Sequence, residues 1–233
     1  MRTDTRTFDD RRSAGIELAQ AVLRLQLQSP AIVLGLPRGG VPVAYEVAQA
    51  LHIPLDVMIV RKVGMPTQPE LAIGAVASGG ITVRDPPAAV LGITDDRFEQ
   101  LAEAERVELE RRERSYRGGL PPLDLEGKCV VLVDDGIATG ATMLAALLAT
   151  RKARAASVIV AAPVASVQAA ASMDAQADQT VILTTPRNLY AIGQFYRNFE
   201  QLADEDVREL LARAQRAALG STTYGRPTPS RAR

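Results

Sequence analysis

The sequence predicts an α/β fold, a mainly parallel sheet flanked by helices, and two observations predict it. Short, largely apolar runs recur at residues 31–36, 55–60, 130–133 and 157–162. A strand without polar alternation is one buried on both faces, the condition of strands in a parallel sheet. Between these runs lie stretches of helical periodicity, long enough to carry the chain back across a sheet face so that the next strand runs the same way.

The elements follow in order. Residues 8–28 carry apolar side chains at Ile16, Leu18, Ala19, Val22, Leu23, Leu25 and Leu27, a helical spacing. The run 31–36 is a buried strand, stopped by Pro37-Arg38-Gly39-Gly40, and residues 43–51 form the helix after it. Residues 55–60 give a second strand, closed by Arg61-Lys62. A Pro/Gly-rich passage, 64–70, leads to strands at 71–77 and 81–83, and 85–92 is loop. Thr94-Asp95-Asp96 reads as a cap with acids in the first turn, opening a helix to about Tyr116. Its Glu and Arg residues alternate at three- and four-residue spacings from 103 to 114, the mark of a solvated, ion-paired helix. Gly118-Gly119 and Pro121-Pro122 end it. Strand 130–133, helix 143–154, strand 157–162, a short helix 167–177, strand 181–183 and a helix over 204–218 complete the alternation. The tail 220–233, rich in Ser, Thr, Pro, Gly and Arg, is expected to be disordered.

Composition narrows the chemistry. A chain of 233 residues with 47% hydrophobic content can bury one sizeable core. The formal net charge is zero, which offers no global field for nucleic acid or an anionic membrane, and neither is expected as a partner. No apolar stretch approaches the roughly 20 residues of a spanning helix and no secretory signal opens the chain, so the expected location is cytoplasmic. With one histidine, His52, and one cysteine, Cys129, a His/Cys metal site or a Ser-His-Asp triad has little material. Carboxylates, arginines and lysines remain.

Those residues gather most tellingly at 130–142. Four apolar residues are followed by Asp134 and Asp135, then by the small-residue turn Ala138-Thr139-Gly140-Ala141-Thr142, then by a helix. The start of a helix offers free N–H groups and the positive end of a dipole to a phosphate. Gly140 permits close backbone approach, Thr139 and Thr142 add hydroxyl donors, and the two carboxylates can accept from ribose hydroxyls. The stretch lacks the spacing of a nucleotide P-loop or a dinucleotide fingerprint.

This segment resembles the phosphoribosyl diphosphate (PRPP) motif of type I phosphoribosyltransferases, and the likeness covers about residues 8–215. The resemblance implies one domain over 1–219 with a small hood built from about 1–30 and 184–219. It implies 5′-phosphate binding at Ala138, Thr139, Gly140, Ala141 and Thr142. It implies pyrophosphate binding by Arg38, Gly39, Gly40, Arg61 and Lys62, with a strained, often cis, non-proline peptide before Gly39 or nearby. Asp134, Asp135, Arg38 and Lys62 become the catalytic set, with Mg2+ as cofactor placed by Asp134 and Asp135 directly or through water. The expected partners are PRPP, a small-molecule acceptor and a second copy of the chain in a homodimer. Phe195 and Tyr196, with Phe199 nearby, are candidates to stack on an acceptor ring. Arg117 is a candidate to swing onto the pyrophosphate from a flexible loop. Ala138 stands where oxopurine enzymes of the family keep an aspartate base, which argues against hypoxanthine or guanine as acceptor. Two alternatives to transfer stay open at this point: a PRPP- or nucleotide-sensing regulator, and hydrolysis of PRPP or a nucleotide. Similar motifs, among them Arg-Gly-Gly-Val-Pro-Val-Ala, also occur in bacterial phosphoribosyltransferases without an agreed acceptor.

Overall fold

A computed structural model describes residues 6–84 and 92–222. The chain runs α1 (Arg11–Val22), β1 (Ala31–Gly35), α2 (Gly40–Leu51), β2 (Leu55–Val57), β3 (Val60–Met65), β4 (Gln68–Ala77), β5 (Ile81–Arg84) and α3 (Asp95–Arg117). It continues β6 (Cys129–Val133), α4 (Ala141–Lys152), β7 (Ser157–Val164), α5 (Val167–Asp174), β8 (Gln179–Thr184), a short 3-10 turn (Ile192–Phe195) and α6 (Asp204–Thr222).

Five strands form a wholly parallel sheet in the order β2-β1-β6-β7-β8. All five residues of the central strand β6 are buried, which is why its sequence carries no polar alternation. One core cluster packs α1, α2, α3 and α6 against one face, and the other packs α4 and α5 against the opposite face. The architecture is the α/β sandwich expected, with β1 and β6 adjacent so that the loops after them open side by side.

Several boundaries differ from the sequence reading. Helix α1 begins at Arg11, not Phe8, because Asp10 caps it: its Oδ1 accepts from the Ser13 amide at 2.7 Å, and its own amide donates to the Ser13 hydroxyl. Residues 8 and 9 instead pair with residues 195–198: the Phe8 amide donates to the Phe195 carbonyl at 2.8 Å, and the Asn198 amide donates to the Asp9 carbonyl at 2.9 Å. The single strand expected over 55–60 is two. The Met58 amide still bonds the Gly35 carbonyl of β1, but Ile59 turns to Ser78, bonding both its hydroxyl and its amide. From Val60 the chain belongs to a separate antiparallel sheet, β3-β4-β5, in which the expected 64–70 loop shrinks to a tight hairpin. Helix α6 runs on to Thr222; residues 223–233, most of the tail expected to be disordered, lie outside the described residues, as does most of the expected 85–92 loop. Among the described residues no helix is long and apolar enough to cross a membrane.

Candidate active site

The carboxyl ends of β1 and β6 lie side by side, and everything after them converges. The Leu36 amide donates to the Val133 carbonyl at 2.9 Å, and the Gly40 amide then donates back to Leu36, folding residues 36–40 into a tight turn that starts α2. The Pro37–Arg38 peptide in that turn is cis, one bond ahead of the one before Gly39. The amides of Arg38 and Gly39 have no acceptor among the described residues, so two donors stand free at the start of a helix.

Both glycines of this turn are there for contact with the acid pair. A Cβ on Gly39 would lie 1.9 Å from Asp135 Oδ2, and one on Gly40 would lie 2.6 Å from the Val133 carbonyl and 2.8 Å from Asp134 Cα. A side chain at either position would collide with the acid pair or the strand beneath it, so the turn packs directly on the two aspartates. Asp134 is half-buried, with Oδ1 accepting from the Asp135 amide at 2.8 Å. Desolvation and the neighbouring Asp135 charge push its carboxyl well above the usual carboxylate range. Asp135 is held at two points: Oδ2 accepts from Arg11 Nε at 2.8 Å, and its carbonyl accepts from the Tyr196 hydroxyl at 2.6 Å.

The turn after the aspartates is a concavity of about 170 Å³ lined by Asp134, Gly136 to Gly140, Thr142 and Met143. Gly140 takes a left-handed conformation (φ +82) that a glycine adopts without strain, and caps α4. Helix α4 therefore starts at Ala141, two residues earlier than expected, which brings Thr142 into its first turn. The amides of Gly136, Ala138, Thr139 and Gly140 have no acceptor among the described residues. Behind them Ser166 steadies the loop: its hydroxyl donates to the Ala138 carbonyl at 2.7 Å and accepts from the Ala169 amide, and its amide donates to Ile137. An electropositive cup made of backbone lies directly beside two carboxylates.

Other expected residues fall elsewhere. Arg61 and Lys62 point to opposite faces of β3. Arg61 ion-pairs with Glu105 of α3 at 2.7 Å, while Lys62 lines a small crevice with Ala141 and Leu144 of α4. They therefore do not act as a pair from one face, and Lys62 sits nearer the start of α4. Arg38 is half-exposed and donates to the Leu202 carbonyl at 2.6 Å. Arg117 is held away from the diphosphate turn: it is forked onto both oxygens of Asp56 at 2.9 Å and donates to the Pro121 carbonyl, with only 8% of its side chain exposed. Phe195 and Tyr196 are packing residues rather than an open stacking face, buried with Phe8, Ala14 and Val164. Only Phe199 of the three keeps substantial exposure, and the Arg11 guanidinium covers it at 3.8 Å.

Among the described residues no group of three or more His, Cys, Asp or Glu side chains could cage a metal, and Asp134 has no cationic partner there. What the acid pair offers a hard cation is two adjacent oxygen ligands. That donor set fits an ion brought in by an oxyanionic substrate and not one held by the protein alone.

A parallel sheet with a small-residue anion cup and a glycine turn flanking two aspartates is the architecture of a phosphoribosyltransferase domain. The chain belongs to the phosphoribosyl transferase domain family, which it matches over residues 11–199. It is 44% identical over 210 residues to two Mycobacterium tuberculosis proteins, named "Putative phosphoribosyl transferase MT0597" and "Putative phosphoribosyl transferase Rv0571c". The match covers 90% of this chain and 47% of each of theirs, so the chain spans about half the length of those relatives. The crystal structure of TT1426 from Thermus thermophilus superimposes with a TM-score of 0.80 at 45% identity, covering 89% of this chain and 98% of that one.

Proposed function

We propose that this chain transfers a 5-phosphoribosyl group from PRPP to a nitrogen nucleophile such as a nucleobase, releasing pyrophosphate. The observation that carries the reading is the placement of two anion-ready backbone turns on either side of one acid pair. The distance between the phosphates of PRPP requires two separate anion sites, and its ribose requires acceptors between them.

The 5′-phosphate takes the cup from Ala138 to Thr142, where free amides, the Thr139 and Thr142 hydroxyls and the start of α4 meet it. The ribose hydroxyls donate to Asp134 and Asp135. The diphosphate lies on the Arg38-Gly39-Gly40 turn, with the Arg38 guanidinium leaving Leu202 for it. The C1–O bond to pyrophosphate breaks, the C1–N bond to the acceptor forms, and the acceptor's N–H proton passes to solvent or to a base outside the residues assigned. Fixed donors at the leaving oxygens stabilise charge that grows as the bond breaks. Asp134 and Asp135 would hold Mg2+ directly or through water, and the ion would supply positive charge to the leaving diphosphate. Lys62, from the crevice beside Ala141, adds a cation to the phosphate end. Cytoplasmic location and a homodimer belong to the same proposal.

Pyrophosphate release from PRPP and magnesium, measured against a panel of nucleobases and a control without acceptor, tests it. Release that depends on one base establishes transfer and identifies the acceptor. Release without any base makes the protein a hydrolase, and PRPP binding without release with any base makes it a sensor.

A further inference from the structure

Arg11 was not among the residues that the phosphoribosyl reading calls for, yet among the described residues it is the one cation that ion-pairs with the acid pair. Its Nε meets Asp135 Oδ2 at 2.8 Å, with only 12% and 13% of the two side chains exposed. The rest of the guanidinium is fixed from the hood: one terminal nitrogen donates to the Glu200 carbonyl at 2.9 Å, and the plane covers the Phe199 ring at 3.8 Å. The same Asp135 Oδ2 is the atom that would lie 1.9 Å from a Cβ on Gly39. A single carboxylate oxygen is therefore wedged between Arg11 and the turn on which the diphosphate would lie.

That position poses an electrostatic problem. Like charges a few ångströms apart repel several times more strongly in a partly desolvated site than in water. An unpaired carboxylate against Gly39 would oppose the anion that the free amides of Arg38 and Gly39 attract. We propose that Arg11 is a positioning residue for the diphosphate turn: it cancels the charge of Asp135 and fixes that carboxylate by Oδ2, so that an anionic diphosphate can bind beside it. This rests on the transfer reading above. Asp135 keeps Oδ1 for a sugar hydroxyl, and Asp134 forms no ion pair among the described residues. The hood segment that fixes Arg11 also holds Arg38, through the Leu202 carbonyl at 2.6 Å. One short stretch thus sets both arginines that flank the acids.

Calorimetric titration of inorganic pyrophosphate and of ribose 5-phosphate, each without magnesium so that the part the acids play in placing the ion does not enter, into the parent protein and its variants tests the inference, with a melting curve for each. Arg11→Gln is expected to weaken pyrophosphate about tenfold or more while changing ribose 5-phosphate by less than about threefold. Arg11→Lys, which keeps the charge, retains most of the affinity. Adding Asp135→Asn to Arg11→Gln restores pyrophosphate binding, because the charge to be cancelled is gone. Asp135→Asn alone, which does not depend on the folding of the Arg11 variants, keeps or strengthens metal-free pyrophosphate binding while weakening ribose 5-phosphate, and a loss of pyrophosphate affinity there overturns the proposal. A pair that merely fastens the hood predicts otherwise: equal losses for both ligands in Arg11→Gln, or no recovery in the double variant, overturns the proposal. If the parent binds both ligands and Arg11→Gln binds them equally well, this inference falls and the transfer reading stands. If the parent binds neither ligand, the transfer reading falls and takes this one with it.

Discussion

Replacing Gly39 or Gly40 by alanine separates a movable neighbour from an immovable one. Both glycines have negative φ or ordinary helical backbone, so alanine brings no conformational strain and removes freedom from the unfolded chain, worth about 0.4–1 kcal/mol in favour of the variant. Contact decides the sign. At Gly40 the new Cβ meets the Val133 carbonyl at 2.6 Å and Asp134 Cα at 2.8 Å, both backbone atoms. They cannot yield without moving β6, which is bonded to β1 on one side and β7 on the other. Overpacking of this kind costs about 3 kcal/mol at the upper end, which leaves a net loss of about 2 kcal/mol. For a domain of this size that lowers Tm by roughly 4–8 °C. At Gly39 the neighbour is the Asp135 carboxylate, which can rotate away from 1.9 Å at the expense of its Arg11 pair. The acid is then misplaced, and PRPP binding weakens about tenfold or more. Thermal melts by circular dichroism and PRPP titration read both effects. A Gly40→Ala protein that melts within about 1 °C of the parent, or a Gly39→Ala protein that binds PRPP unchanged, would refute the packing of this turn on the acids.

Other expectations are independent of that one. Arg38→Ala should weaken pyrophosphate more than ribose 5-phosphate in calorimetry; equal losses would remove Arg38 from the diphosphate turn. Arg117→Met leaves Asp56 buried and unpaired, so it should cost about 3–5 kcal/mol in denaturant unfolding while leaving ligand affinity per folded molecule unchanged. A selective loss of pyrophosphate affinity there would return Arg117 to the site. Tyr196→Phe loses the 2.6 Å hydrogen bond to the Asp135 carbonyl and should lower stability by about 1 kcal/mol, read as a shift in denaturant midpoint at constant slope.

How much of this was legible in the sequence depends on the range over which each feature is determined. Strand β6, the acid pair and the small-residue turn are consecutive, so their pattern carries strand, charge and anion cup together. The glycines after β1 were legible as a turn, but that their missing side chains make room for Asp134 and Asp135 is set by strand order. Arg61 and Lys62 were legible as adjacent cations; the alternation that sends one to Glu105 and the other to α4 follows only once residues 60–65 are known to enter a second sheet. The apolar run from Leu55 to Val60 gives no sign of that switch, since either sheet buries it equally well. Arg117 lies directly before the glycine and proline breaks and read as mobile, because its anchor, Asp56, is distant in sequence. Arg11 carried no signal at all: its partner lies 124 residues away, and beside the capping Asp10 it looks like an ordinary first-turn residue. The aromatic cluster at 195–199 suggested stacking, whereas burial turned two of its three rings into core.

The measurement that bears most directly on the central claim is PRPP binding, with magnesium, to the parent protein and to the double variant Asp134→Asn, Asp135→Asn. Both substitutions keep the side-chain volume, so melting curves should show a folded protein. The account predicts saturable binding of PRPP to the parent and a loss of about a hundredfold or more in the variant, as two charged hydrogen-bond acceptors for the ribose are removed. Equal affinity in the two proteins, both folded, would contradict the site.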